Sequence, residues 1–403
     1  MASGKRPRRK KKKRTPSGKD LLLKWSLAAV AVVILLLLFL WFDASFYQQP
    51  PAIPAYEEVQ VNGFTSLLGE VEIAIYHGLR ELGVKESQIR FRKVVQRSRG
   101  NRHWEYVEIE VRLKPSQNLV QTQNIVTKNL QTVSGAISWE ANGRTPSSRD
   151  LTVRVMGMLT HKIILTHKIE QPPARARKKP AARVAIVIDD LGYDRRLAEK
   201  FLAIKEPLSF SVLPHGRFSK TIASEIHKKG KELMLHLPME PKGFPEVNPG
   251  PGALLLAMTD EELRQQLQED LASFSSVVGV NNHMGSRFCE QAAKMKIVLQ
   301  EIKKRNLFFL DSRTSKDTTG YTLAKQLGIP SAERNVFLDN IQSPRAIRSQ
   351  LRRLVQLARL KGRAIGIAHP HQVTLEVLSS DLPKLKEQGV ELVLVSQIIH
   401  PPT

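Results

Sequence analysis

Near the middle of this 403-residue chain, the stretch VAIVIDDLGYD ends an apolar run in two adjacent carboxylates, Asp189 and Asp190. Neighbouring like charges repel and each resists burial, so the pair implies a surface turn, a helix cap or a nearby cation. Other apolar runs end in the same manner. Leu213 leads to Pro214 and His215, and His236 lies within LMLHLPMEP. Val280 precedes NNHMGSRF, which carries Asn281, Asn282, His283 and Arg287. Leu310 leads to Asp311, Ser312 and Arg313, Leu338 to Asp339, and Ala368 to His369, Pro370 and His371. One aspartate and two histidines around an open position suit Zn²⁺ or a similar divalent ion, which keeps three protein ligands and a water when catalytic. Such an ion acidifies its water and polarises a carbonyl, and a second carboxylate held off the metal can take the proton. One member of the aspartate pair then binds the ion while its neighbour acts as base.

Each residue also has a plain structural reading. An aspartate can cap the next helix, His236 can be a satisfied core histidine, His283 can order a turn, and Asp311 with Arg313 can be an ion pair. A shared pocket accounts for all of them at once. No G-x-S-x-G elbow is present, which disfavours a serine nucleophile. No Walker A loop or strand-linked G-x-G-x-x-G is present either, which disfavours nucleotide use.

The runs that place these residues are Val184–Ile188, Leu208–Leu213, Leu233–Leu237, Val277–Val280, Leu307–Leu310, Val336–Leu338, Ala364–Ala368 and Leu392–Val395. Most are continuous rather than alternating, as in parallel strands covered on both faces. Amphipathic stretches separate them. In TDEELRQQLQEDLASF, Thr259 and Glu262 form a capping box, and Leu263, Leu267, Leu271 and Phe274 make one stripe. Strand–helix alternation over residues 183–403 predicts an α/β domain, a β/α barrel of about seven strands or one incompletely closed, with a doubly wound sheet as the other solution. In either fold the strands' carboxyl ends converge on one rim.

Upstream, Phe64, Leu67, Leu68, Val71, Ile75, Leu79 and Leu82 recur at helical spacing, and Val107, Ile109, Val111 and Leu113 alternate with polar residues. Leu151, Val153 and Val155 do the same. Residues 57–168 therefore read as a small α+β domain, for which envelope protein partners are the expectation. Pro-rich linkers flank it at 43–56 and 169–182.

The formal charge of +24 suggests a nucleic-acid binder, but its distribution argues against one. Residues 1–20 carry a dense basic run, KRPRRKKKKR. Within 21–42, Trp25 to Phe42 is free of charge and, at about 1.5 Å per residue, long enough for a bilayer. Eleven Lys and Arg precede Trp25 and none follows until Arg80, which places the N-terminus in the cytoplasm and the rest outside. An uncleaved single-pass anchor in the plasma membrane is favoured over a cleaved signal peptide, with the basic tail against lipid headgroups. Cys289 is the lone cysteine, so no internal disulfide can form.

Taken in order, VIDDLGYD, SFSVLPHG, LMLHLPMEP, NNHMGSRF, FFLDSRT and IGIAHPH resemble the divergent polysaccharide deacetylases, related to the NodB-type carbohydrate esterases. The resemblance spans Arg183 to Ser396. It implies a distorted β/α barrel and metal-dependent removal of N-acetyl groups from an envelope or other polysaccharide. Carried over by motif, Asp189 resembles the catalytic base, Asp190 and His236 metal ligands, and His369 the acid that protonates the departing amine. The wider family places a second histidine ligand four residues after the first, where this chain has Glu240. Either Glu240 substitutes or His283 completes the site, and His283 is favoured. Asn282, Arg287, Asp311 and Arg313 are carried as substrate-binding residues. The altered motifs leave a second reading, a glycan-binding or scaffolding protein of the cell envelope without turnover.

Overall fold

The computed structural model describes residues 63–100, 102–167 and 182–399. The basic tail, the expected anchor over 21–42 and the linkers over 43–56 and 169–181 lie outside the described residues. Among the described residues no helix is long and apolar enough to cross a membrane.

Residues 56–403 cluster as one unit that carries two sheets. The first has five strands: β1 (Ile89–Arg99), β2 (Arg102–Arg112), β3 (Ile137–Thr145), β4 (Ser148–Val155) and β5 (Met158–Thr166). Their order is β1-β2-β5-β4-β3, and β2 and β5 are the one parallel pair. Helices α1 (Gly63–Glu81) and α2 (Leu119–Gln131) pack on this sheet and on each other. The period-2 pattern is explained directly: Val107, Ile109 and Val111 of β2 and Leu151, Val153 and Val155 of β4 are all buried.

The second sheet positions the candidate site. Its strands are β6 (Ala182–Leu191), β7 (Ser209–Val212), β8 (Glu232–Met239), β9 (Gly279–Met284), β10 (Phe308–Asp311), β11 (Ser331–Glu333), β12 (Val336–Phe337), β13 (Arg363–Ala368) and β14 (Val390–Leu392). All pairings are parallel, in the order β11-β10-β9-β8-β7-β6-β13-β12, with β14 beside the start of β6. The two ends of this path, β11 and β12, are separated in sequence by Arg334 and Asn335 alone. Three residue steps span at most about 10 Å. The sheet must therefore curl until its edges nearly meet, giving an open barrel rather than a flat doubly wound sheet. Asn335 fills the seam by exchanging bonds with Ile365 of β13: its Oδ1 accepts from the Ile365 amide at 2.8 Å, and its own amide donates to the Ile365 carbonyl at 2.9 Å.

The barrel interior holds Ala185 and Val187 of β6, Met234 of β8, Phe308 and Leu310 of β10, Phe337 of β12, and Ile365 and Ile367 of β13. Their intervening neighbours, such as Val184, Ile186, Ile188, Leu233, Leu235 and Phe309, face the outer helices. Both faces are thus apolar, which explains the continuous runs. Two boundaries differ from the sequence reading. The polar stretch Asn281–His283 is part of β9 rather than a loop after it. The run expected at Leu392–Val395 is instead the end of β14 and the start of a short helix at Val395.

Two helices illustrate the local control. Thr259 caps Asp260–Ala272 as expected, its hydroxyl accepting from the Glu262 amide while Glu262 reaches back to the Thr259 amide at 2.7 Å. Helix Pro344–Lys361 starts with Ser343 as N-cap and Pro344 in the first turn and stops at Gly362, whose φ of +85° suits glycine. Arg353 of this helix inserts its guanidinium between Glu72 of α1 and Glu105 of β2, joining the two sheets' layers.

Candidate metal centre

Strand parity sets which side chains can meet. Residues two apart on a strand share a face, so the inward series of the barrel continues past its apolar layer. From Ala185 and Val187 it reaches Asp189; from Met234, His236; from Phe308 and Leu310, Ser312; from Phe337, Asp339; from Ile365 and Ile367, His369. On β9 the register pairs His236 with Asn281, so Asn281 and His283 share that inner face. Asn282 and Asp311 fall on the opposite parity.

Asp190 breaks this rule, and the backbone shows how. Between Ile188, opposite Phe210, and Leu191, opposite Val212, β6 uses three residue steps where β7 uses two. Within this bulge Asp190 has φ +56°. A bulge re-aims one side chain relative to its neighbour, so two adjacent aspartates both enter the site. A positive φ is sparsely populated for a non-glycine residue and marks local strain. Neither aspartate caps the following helix; that task falls to Asp194, which accepts from the Leu197 amide at 2.9 Å.

Asp190, His236 and His283 converge, all buried. Asp190 Oδ1 lies 2.9 Å from His236 Nε2 and 2.8 Å from His283 Nδ1, and the two ring nitrogens are 3.2 Å apart. The distances are those of contact, yet neither Asp190 oxygen has an aligned hydrogen-bond donor. Tetrahedral zinc with bonds of 2.0–2.1 Å separates its ligand atoms by about 3.3 Å. An orphaned buried carboxylate and two imidazole nitrogens at nearly that spacing fit a divalent ion. Glu240 is not part of the cluster: its oxygens accept from Arg287 Nη1 at 2.9 Å and from the Leu256 amide at 2.7 Å.

Asn281 organises the next layer. Its Oδ1 accepts from Ser211 Oγ and faces His236 Nδ1 at 3.1 Å, while its Nδ2 donates to Asp189 Oδ2 at 2.8 Å and to Ser312 Oγ at 3.2 Å. With Nδ1 of His236 turned to an acceptor, Nε2 is left as the lone-pair nitrogen that faces Asp190. Asp189 keeps Oδ1 without a partner. Burial pushes the Asp189 carboxyl above the usual range, with His236 and His369 pulling it back. Burial opposes the charge of Asp190 too, but His283 and His236 outweigh it and hold that carboxyl well below the usual range. Adjacent carboxylates are thereby driven apart in acidity.

His369 forms a second unit. Its Nδ1 lies 2.8 Å from Asp339 Oδ1, and its amide donates to Asp339 Oδ2 at 2.7 Å, an oxygen that also accepts from Thr374 at 2.8 Å. Burial disfavours the imidazolium, yet the Asp339 charge and hydrogen bond win and push the His369 pKa up to about 9. At neutral pH it is a cationic acid.

The residues carried as substrate-binding have other partners. Asn282, fully buried, accepts from the Ser312 amide and donates to the Met284 carbonyl, tying two strand ends together. Asp311 accepts from the Arg313 and Tyr321 amides and from Thr318, which orders the loop after β10. Arg313, at φ +53°, pairs with Glu333, and Arg287 pairs with Glu240. Asn281 and Asp339, not assigned roles from sequence, hold the buried networks. Parity was the available signal, because each lies an even number of residues from an inward-facing neighbour.

The sequence pattern of the divergent polysaccharide deacetylase family matches residues 186–399. The uncharacterized protein YibQ of Escherichia coli (strain K12) is 34% identical over 222 residues, covering 55% of this chain and 69% of that protein. An uncharacterized protein of Haemophilus influenzae is 29% identical over 206 residues, covering 51% and 73%. The crystal structure of the uncharacterized protein ATU2773 from Agrobacterium tumefaciens C58 aligns with a TM-score of 0.53 at 28% identity, covering 56% of this chain and 92% of that one. With the family pattern covering more than half of the chain, including every residue of the Asp190–His236–His283 cluster, this protein belongs to the divergent polysaccharide deacetylases.

Proposed function

We propose that the chain is a membrane-anchored, outward-facing, metal-dependent hydrolase that removes N-acetyl groups from an envelope polysaccharide. The observation that carries this reading is the meeting of Asp190, His236 and His283 on the inner face from which Asp189 and His369 also project. Asp190 Oδ1, His236 Nε2 and His283 Nδ1 would hold a divalent ion such as Zn²⁺. When bound, the ion supplies an acidified water and a Lewis acid for the acetamide carbonyl. Asp189, with one free oxygen and a raised pKa, accepts the proton of the attacking water. Asn281 keeps that carboxylate aimed by holding its other oxygen. Cationic His369 gives its proton to the departing amine, and Asp339 steadies the imidazolium. The uncharged stretch from Trp25 to Phe42 and the basic residues before it support the anchored, outward-facing placement.

The test is metal content and acetate release from N-acetylglucosamine oligomers, comparing the wild type with His283→Ala and Glu240→Gln. The wild type and Glu240→Gln are expected to retain the ion and His283→Ala to lose it. Equal metal content in all three removes the ligand set. Bound metal without acetate release from any envelope glycan favours a glycan-binding protein that no longer turns over.

A further inference from the structure

A cavity of about 270 Å³ lies between α1 and the open seam of the barrel, outside the metal cluster. Its floor is the strand and loop that lead to the catalytic acid. Phe337 lines it, and the Phe337 ring sits 5.8 Å from the His369 ring with the Arg334 guanidinium 3.6 Å over it. Asp339, two residues on, binds His369, and Gln342 contacts His371 Nε2 at 3.0 Å. Asn340 and Ile341, between those two contacts, face the cavity. One short loop therefore borders both spaces.

The lining states what the cavity can hold. Its two acids, Glu72 and Glu105, are balanced by two arginines, Arg334 and Arg353, and Arg353 bridges both acids. No net charge remains to select an anion or a cation. His161, 2% exposed, lines this space, and its buried Nε2 has no hydrogen-bond partner, Glu72 Oε1 being 3.8 Å away. An unpartnered buried nitrogen is costly unless a ligand or water completes it. A hydroxyl, which donates and accepts at once, can serve His161 and Glu72 together. The Asn340 and Gln350 amides add further donors and acceptors.

We propose that this cleft binds a neutral, hydroxyl-rich segment of the substrate, N-acetylated hexosamine units beyond the one that reaches the metal cluster. The small domain thus completes a substrate groove that the barrel alone leaves open at its seam. The proposal rests on the deacetylase reading for its ligand class.

Gly69 of α1 lines the cavity, and a Cβ there meets nothing within 4 Å. Gly69→Phe therefore projects a ring into the cleft from an unobstructed Cβ. The experiment measures binding of N-acetylglucosamine hexamer and dimer to the full chain by calorimetry, with melting temperature as a control, for the wild type, Gly69→Phe and His161→Ala. The expected result is a tenfold or greater loss of hexamer affinity in both variants, unchanged dimer affinity and unchanged melting in Gly69→Phe. Hexamer binding equal to wild type in both variants, or no preference of the wild type for hexamer over dimer, overturns the proposal. Acetate release separates the two ideas: with turnover, KM for hexamer rises at constant kcat. Without any turnover, the binding difference still decides the cleft.

Discussion

Replacing Asp339 with Asn isolates the charge that makes His369 an acid. The side chain keeps its shape and can still accept from His369 Nδ1, but its negative charge is gone. In the wild type the imidazole is raised from an ordinary 6.5 to about 9, against burial, chiefly by Asp339. Without that charge, burial dominates and the pKa falls to its ordinary value or below. At pH 7.5 the protonated fraction then drops from about 97% to about 10% or less, so under the proposed function acetate release slows about tenfold or more. At pH 5.5 the fraction in a group of ordinary pKa is still about 90%, and the two enzymes converge. The alkaline limb of the kcat/KM profile moves from near pH 9 to pH 6.5 or lower, while the acidic limb stays in place. Stability follows the same sign. A raised histidine pKa contributes stability that is complete below 6.5 and lost as pH rises through about 9, here about 3 kcal/mol. The variant lacks this dependence. It also leaves one donor facing the amide nitrogen of His369, a further cost of about 1–3 kcal/mol at every pH. An alkaline limb that stays near pH 9 in Asp339→Asn would refute His369 as the proton donor.

Asn281→Ala strips partners from Ser211, His236, Asp189 and Ser312 at once, so a loss of about 3 kcal/mol in urea unfolding is expected. Metal affinity falls about 10- to 100-fold in the same variant, because His236 loses the group that orients it; unchanged affinity by competition with a chelator contradicts that role. Gly279→Ala places a Cβ 2.2–2.4 Å from the Phe308 ring, and overpacking at the start of β9 costs about 1–3 kcal/mol in unfolding measurements. Gly69→Ala is the opposite case: its Cβ points into open space within a helix, and it stabilises by about 1 kcal/mol.

The strands of the barrel were legible because burial on both faces forces apolar residues into every position. That signal fails where a strand turns polar to serve a site. Asn281, Asn282 and His283 read as a loop, although β9 continues through them to Met284. β11 is three residues long, too short for any periodic pattern to register. The seam that opens the barrel is a consequence of connectivity, the two-residue step from β11 to β12, and no composition rule reveals it. The choice between Glu240 and His283 was open from spacing because Glu240 follows β8 with the parity of His236. In space Arg287 and the Leu256 amide occupy both Glu240 oxygens, while His283 lies beside His236 and Asp190.

The aspartate pair shows most clearly what sequence conveys and what it conceals. Two adjacent residues on a regular strand point to opposite faces, so one site cannot use both. Asp189 keeps the inward parity of Ala185 and Val187 and needs no special backbone. Asp190 enters only through the bulge, with a left-handed φ that a regular strand does not have. The two therefore arrive in different surroundings. Asp189 stands in buried space with a single amide donor on one oxygen, and its proton affinity rises; Asp190 stands between two imidazoles, and its proton affinity falls. Groups whose environments push their acidities apart divide into a base and a permanent anion. In the proposed reaction parity and bulge decide which is which, so exchanging the two roles would require moving the bulge by one residue, not merely changing a side chain.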